Sequence, residues 1–204
     1  MSETASTMVD VIYPLRGQAL PRDHRRALAH ALERLLPWLA EPGQSGVHRV
    51  NVVAGDDATA LLSKRARLML RVRRERVPDL APLQGAVLNV ASFRVELGTA
   101  MVVRELLAHM TLYAHLVTTA DDDELAFMGS IEQELDALGV PCRPICGRRQ
   151  VIDDNGARVT GYSLMLDGLS HAGSVRVLEA GLGGNRRLGC GMLVPHKSGS
   201  AVRA

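Results

Sequence analysis

The chain has 204 residues, 47% of them hydrophobic and 23% charged, with a formal net charge of +2. That composition belongs to a folded globular chain and excludes a wholly disordered one. No run of eighteen apolar residues is present to span a membrane, and so small a net charge does not announce a nucleic-acid partner.

Residues 1–7 open with the polar MSETAST, read as a tail without the basic-then-apolar pattern of a secretory leader. Residues 8–16 (MVDVIYPLR) alternate and carry β-branched side chains, which predicts a strand ending at Gly17. From Pro21 a helical period places Leu28, Leu32, Leu35, Leu36 and Leu39 on one face, with Asp23 in the first turn and Pro42-Gly43 as the stop. Strands are expected at 47–53 and 66–73, a brief helix or turn over VPDLAPLQG, and a strand at 86–97.

The second half repeats the order. A strand is expected at 110–118 and a helix at 122–138, with Leu125, Met128, Ile131, Leu135 and Leu138 at helical spacing and Gly139 as the stop. The run Asp121-Asp122-Asp123-Glu124 reads as the start of that helix. Strands follow near 143–152 and 157–167 across the turn DDNG, then a short helix at 172–180 and a strand at 188–194. Twice βαββαβ predicts an α+β chain of two tandem ferredoxin-like, RRM-like domains, residues 8–98 and 99–196, followed by a flexible tail at 197–204.

Cys142, Cys146 and Cys190 make an odd count, which with no leader predicts a reducing, cytoplasmic setting. Cys142 and Cys146 lack a second close pair to complete a four-ligand zinc site, so unpaired thiols and no metal or cofactor are expected.

The most informative segment is the C-terminal glycine-rich loop, GLGGNRRLGCGMLVP at 181–195. Gly181, Gly183, Gly184, Gly189 and Gly191 surround Arg186 and Arg187. Glycine admits positive φ and leaves N–H groups uncovered, so such a loop can wrap a phosphate chain. It is neither a dinucleotide fingerprint, which follows a strand and opens a helix, nor a Walker loop, which ends in Gly-Lys-Ser/Thr.

That loop, together with GQALPRDHRRALAHALERLLPWL at 17–39 and GVHRV at 46–50, resembles the CRISPR repeat-processing endoribonucleases, in their short myxobacterial-subtype branch. The resemblance spans nearly the whole chain and agrees with the doubled βαββαβ order. It implies a repeat RNA hairpin, precursor and mature guide, as partner, and other subunits of a CRISPR effector complex besides. It also implies metal-independent cleavage: the RNA's own 2′-hydroxyl attacks the adjacent phosphate and leaves a 2′,3′-cyclic phosphate and a 5′-hydroxyl.

That reaction needs a base, an acid and a cation for the phosphorane. Histidine suits the first two roles because its pKa lies near neutrality. His24, at the helix start beside Arg25 and Arg26, and His48, at the entry to the second strand, both fall in the matching segments and are the catalytic candidates, with base and acid unassigned. The helix N-terminus and the arginines beside His24 both favour neutral imidazole. His30 lies on the solvent side of the helix, and His109, His115, His171 and His196 read as structural, capping or tail residues.

Lys64 and Arg65 are candidates for the cation, and Arg67, Arg71 and Arg73 alternate along one strand face as a stripe that could track an RNA backbone. One Trp, three Tyr and two Phe are too few for base stacking to dominate, so recognition should rest on hairpin shape and arginine contacts. Two other readings remain: a non-catalytic RNA-binding subunit of a surveillance complex, and a small-molecule enzyme using the glycine loop for phosphate. The net charge hides segregation. Residues 64–76 hold seven basic residues against one acid, and residues 121–136 hold seven acids and no Lys or Arg.

Overall fold

The computed structural model describes residues 6–43, 45–120, 123–154 and 157–196. The chain divides into two compact units, Met1–Glu105 with Arg187–Gly189, and Leu106–Arg186 with Cys190–Ala204.

The first unit contains β1 (Met8–Arg16), β2 (Ala19–Pro21), α1 (Arg25–Leu35), β3 (Ser45–Val47), β4 (Val53–Ala54), β5 (Thr59–Leu61), β6 (Arg67–Arg73), β7 (Val87–Val90), β8 (Phe93–Leu97) and β9 (Val102–Glu105). Its main sheet runs β3-β6-β1-β8-β7, with β9 also paired to β1, and every pairing is antiparallel. Val9, Val11 and Tyr13 of β1, Leu68, Leu70 and Val72 of β6, and Leu28 and Leu32 of α1 form one buried cluster. The period of two along the strands and 3.6 along the helix brings these positions to a common side.

The first helix stops sooner than the apolar spacing predicts. Pro37 lacks an N–H and pushes the preceding residue out of the helical region, so Leu36 sits at φ −135°, ψ 80° and Pro37–Ala40 continues as a 3₁₀ turn. Leu35, expected on the core face, is 40% exposed. The strand expected at 86–97 is a hairpin, turning at Ala91 and Ser92 with Ala91 at φ 53°. That turn carries none of the glycine or asparagine that marks such turns in a sequence. The strand expected at 47–53 is also broken. After β3 the chain leaves the main sheet and builds a three-stranded ribbon, β2-β5-β4.

The second unit contains β10 (Thr111–Val117), α2 (Glu124–Ala137), β11 (Arg143–Asp154), β12 (Ala157–Asp167), α3 (His171–Ala180) and β13 (Val194–Pro195), with sheet order β11-β12-β10-β13. Asp123 caps α2 by accepting from the Leu125 and Ala126 amides at 2.9 and 3.0 Å. Asp121, Asp122 and the Asn155-Gly156 of the expected turn lie outside the described residues. Phe127, Ile131 and Leu135 are the buried positions of α2, whereas Leu125 is 85% exposed. Ser170 rather than His171 caps α3, accepting from the Gly173 amide at 3.0 Å. The strand expected at 188–194 shrinks to two residues, because Gly189 and Gly191 adopt φ of 79° and 67°, which an extended ladder cannot contain.

Candidate functional site

His24 is the residue from which α1 starts, and its carbonyl accepts the first helical bond from the Leu28 amide. It is 5% exposed, and its Nδ1 lies 3.2 Å from the Pro21 carbonyl oxygen. A carbonyl only accepts, so Nδ1 carries the hydrogen and Nε2 of the neutral ring is the bare nitrogen. Burial lowers the His24 pKa below the ordinary value; the Pro21 bond opposes this and the Arg25 charge reinforces it. The site therefore holds a neutral imidazole whose Nε2 can accept a proton.

His48 is equally buried but differently engaged. The chain runs on from β3 with the His48 amide bonded to the Met69 carbonyl, and Nε2 lies 3.2 Å from Oδ1 of Asp10. Asp10 projects from the face of β1 opposite Val9 and Val11, and strand register sets it beside Arg71 on β6 and Arg104 on β9. Arg71 donates to both Asp10 oxygens, at 2.8 and 3.2 Å, and Arg104 reaches Oδ2 at 3.3 Å. Burial alone would raise the Asp10 pKa, but the bonds from His48 and Arg71 hold its carboxyl well below the usual carboxylate range. Burial also lowers the His48 pKa, against the pull of Asp10 and with the help of Arg71.

This cluster corrects the expected arginine stripe. Arg67 and Arg73 are exposed, but Arg71, on the same face, is 1% exposed and neutralised by Asp10. Alternation along β6 places the three together; the carboxylate opposite Arg71 comes from a strand some sixty positions away. Lys64 and Arg65 are exposed in the turn before β6, and Arg26 is half-buried on α1.

The stretch Arg187–Gly189 clusters with the first unit. Arg25 Nη1 donates to the Leu188 carbonyl at 3.0 Å, and Arg187 Nη1 lies 3.3 Å from Glu33 Oε1. A Cβ added to Gly189 would stand 3.1 Å from the Val47 carbonyl oxygen, 3.3 Å from Arg25 Nη1 and 3.5 Å from the Arg49 amide nitrogen. Gly189 thus marks where the neighbour of His24 and both neighbours of His48 come together. Arg49 is exposed, and its charge acts on His24. Arg49 was not among the sequence candidates; its only signal is its place in GVHRV.

The other glycines do not form an open cradle of N–H groups. The Gly181 amide bonds to Val177, Gly183 to the Glu134 carboxylate, Gly184 to Thr118 and Gly191 to Leu116. A Cβ would collide with the Thr118 carbonyl at Gly183 and with the Leu182 carbonyl at Gly191. These glycines serve close backbone packing. Arg186 is likewise spent on structure: it donates to the Ala180 and Glu179 carbonyls at 2.6 and 3.3 Å, satisfying the C-terminal end of α3.

Among the described residues, no group of three or more His, Cys, Asp or Glu side chains is placed to hold a metal, and no helix is long and apolar enough to cross a membrane.

A family model described as Cas6 Crispr matches residues 9–198. The chain is 37% identical over 197 residues to a CRISPR-associated endonuclease Cas6 of Myxococcus xanthus (strain DK1622), covering 96% of this chain and 85% of that one. Two solved structures share the fold at low identity. One is described as an RAMP protein binding different RNA substrates, with TM-score 0.67, 12% identity, and coverage of 93% of this chain and 100% of that one. The other is a CRISPR associated protein Cas6, with TM-score 0.65, 10% identity and the same coverage.

Proposed function

This chain belongs to the Cas6 family, and from that premise we propose that it is an endoribonuclease that cuts precursor CRISPR RNA within its repeat. His24 is the base. Its Nε2 takes the proton from a 2′-hydroxyl, the 2′-oxygen bonds to the adjacent phosphorus as the bond from phosphorus to the 5′-oxygen breaks, and the leaving 5′-oxygen takes up a proton from water. The products are a 2′,3′-cyclic phosphate and a 5′-hydroxyl. The reading is carried by one observation: the Pro21 carbonyl fixes Nδ1–H and leaves Nε2 to accept. The guanidinium groups of Arg25 and Arg49, beside His24, supply positive charge for the phosphorane. His48 is a positioning residue. It braces the segment that bears Arg49, through its bond to Asp10.

Both units are read as ferredoxin-like, supported by a shared strand order in which the second, third, first and fourth major strands lie side by side. Recognition of the repeat hairpin draws on Lys64, Arg65, Arg67 and Arg73. The setting is the cytoplasm, where CRISPR transcripts are made.

The 5% exposure of His24 favours one competing reading, an RNA-binding subunit that does not cut. Incubation with the cognate repeat RNA in EDTA decides between them. The proposal expects cleavage without metal that a single 2′-deoxy substitution at the cut site abolishes. A requirement for Mg²⁺, or cutting of the deoxy substrate, would refute the mechanism, and binding without any cutting would favour the competitor.

A further inference from the structure

The second unit holds a cavity of about 580 Å³ that the proposed chemistry does not use. Thr119 and Ala120 at the end of β10, Arg149 on β11, Arg158 and Thr160 on β12, and Asn185 line it. Its shape has a local cause. The ladders of β10 with β12 and of β11 with β12 both slip register at the same level, where Tyr162 stands opposite Val117 on one side and Arg149 on the other. Such bulges bend strands and re-aim side chains. Gly161 makes the bend possible, because a Cβ there would collide with the Val117 carbonyl and come within 2.8 Å of Leu116 Cδ1.

The strand period puts Arg149, Thr160 and Arg158 on the same face as Tyr162. The walls are held in place. Gln150 Nε2 donates to the His115 carbonyl at 2.6 Å, tying β11 to β10. On the other wall Asn185, at φ 59°, donates from Nδ2 to Thr118 Oγ1 at 3.1 Å, and the Gly184 amide bonds to the Thr118 carbonyl at 2.8 Å. Asparagine tolerates positive φ, so it suits this turn.

We infer that this cavity binds a nucleoside monophosphate unit. Two guanidinium groups suit the phosphate, and the hydroxyls of Thr119 and Thr160 with the Asn185 amide suit sugar hydroxyls and a base edge. The volume is that of a small-ligand site. The unit is either a free nucleotide or one residue of a bound RNA; the second source rests on the function proposed above.

The test uses the full chain, with adenosine 5′-monophosphate and the repeat RNA as probes. Their affinities are measured at fixed salt for the wild type, Arg149→Ala/Arg158→Ala, Thr160→Val and His24→Ala. Thr160→Val removes one hydroxyl and changes no charge, so its effect is not general electrostatics. Free-nucleotide binding that weakens about tenfold in the double-arginine variant and about threefold in Thr160→Val assigns the site to a free nucleotide. No binding of the monophosphate, but the same two losses for repeat RNA, assigns it to an RNA residue. No binding of the monophosphate together with wild-type RNA affinity in Thr160→Val overturns the inference. His24→Ala serves as the control for cleavage: if it cuts normally, the catalytic reading falls while the binding data still decide the cavity.

Discussion

His24 and His48 belong to one unit and share the same 5% exposure, yet one ring is held by a main-chain carbonyl and the other by a carboxylate. His24 gives Nδ1–H to a main-chain carbonyl and keeps Nε2 bare. His48 directs Nε2 at a carboxylate that also holds a fully buried arginine. Burial lowers both pKa values, so neither burial nor pKa separates a base from a brace. What surrounds the partner does, in the proposed mechanism. A carbonyl and a carboxylate each accept one N–H and can leave the other nitrogen to accept. But the carboxylate bound by His48 is shared with the buried Arg71 and with Arg104, which makes that imidazole part of a charge-balanced network.

The sharpest break in that comparison is catalytic. His24→Ala should slow single-turnover cleavage of repeat RNA by about 10²–10⁴-fold, the usual worth of a general base, while His48→Gln, if folded, should lose far less. Equal losses would erase the distinction. Next comes stability. Asp10→Ala leaves the Arg71 guanidinium buried without its carboxylate and should cost about 3–5 kcal/mol in chemical denaturation. A change under about 1 kcal/mol, the scale of an exposed pair, would show that the cluster is open to water.

A smaller effect sharpens the brace. His48→Gln should cost about 1–3 kcal/mol at pH 7, as for a buried bond removed. Because the folded pKa of His48 is depressed, its contribution is full above about pH 6.5 and fades as the pH falls through the folded value. The gap between wild type and variant should therefore narrow on acidification, and a gap that widens would mean that His48 is charged in the fold. The smallest effect lies at the surface. Lys64→Ala/Arg65→Ala should weaken RNA binding and reduce the salt slope by roughly one per cation removed. An unchanged slope would take that turn out of the interface.

Much of this architecture is legible in the sequence. Period-two runs mark β1, β6 and β10, and the helical period marks α1 and α2, because these elements bury whole faces. The ribbon of β2, β4 and β5 is not legible, since two or three residues carry no period. Nor is the turn at Ala91, whose positive φ is imposed by the hairpin around it.

The site divides in the same way. His24 and His48 are visible alike as catalytic candidates, each from its local sequence, but the partners that set their rings apart lie in the fold. Arg71 is misread because its partner arrives through strand pairing between distant segments. The glycines of the 181–191 loop are visible as freedom of φ, but whether that freedom serves a phosphate or a neighbouring carbonyl depends on packing that composition does not encode.

The account turns on a neutral His24 acting as the base, and the pH dependence of single-turnover cleavage in EDTA tests this most directly. A base whose pKa is lowered by burial predicts a rate that holds through neutrality and falls only with a midpoint below 6.5, the ordinary histidine value, with that limb absent from the residual rate of His24→Ala. A midpoint at or above 6.5, or an acid limb that survives in His24→Ala, would contradict it.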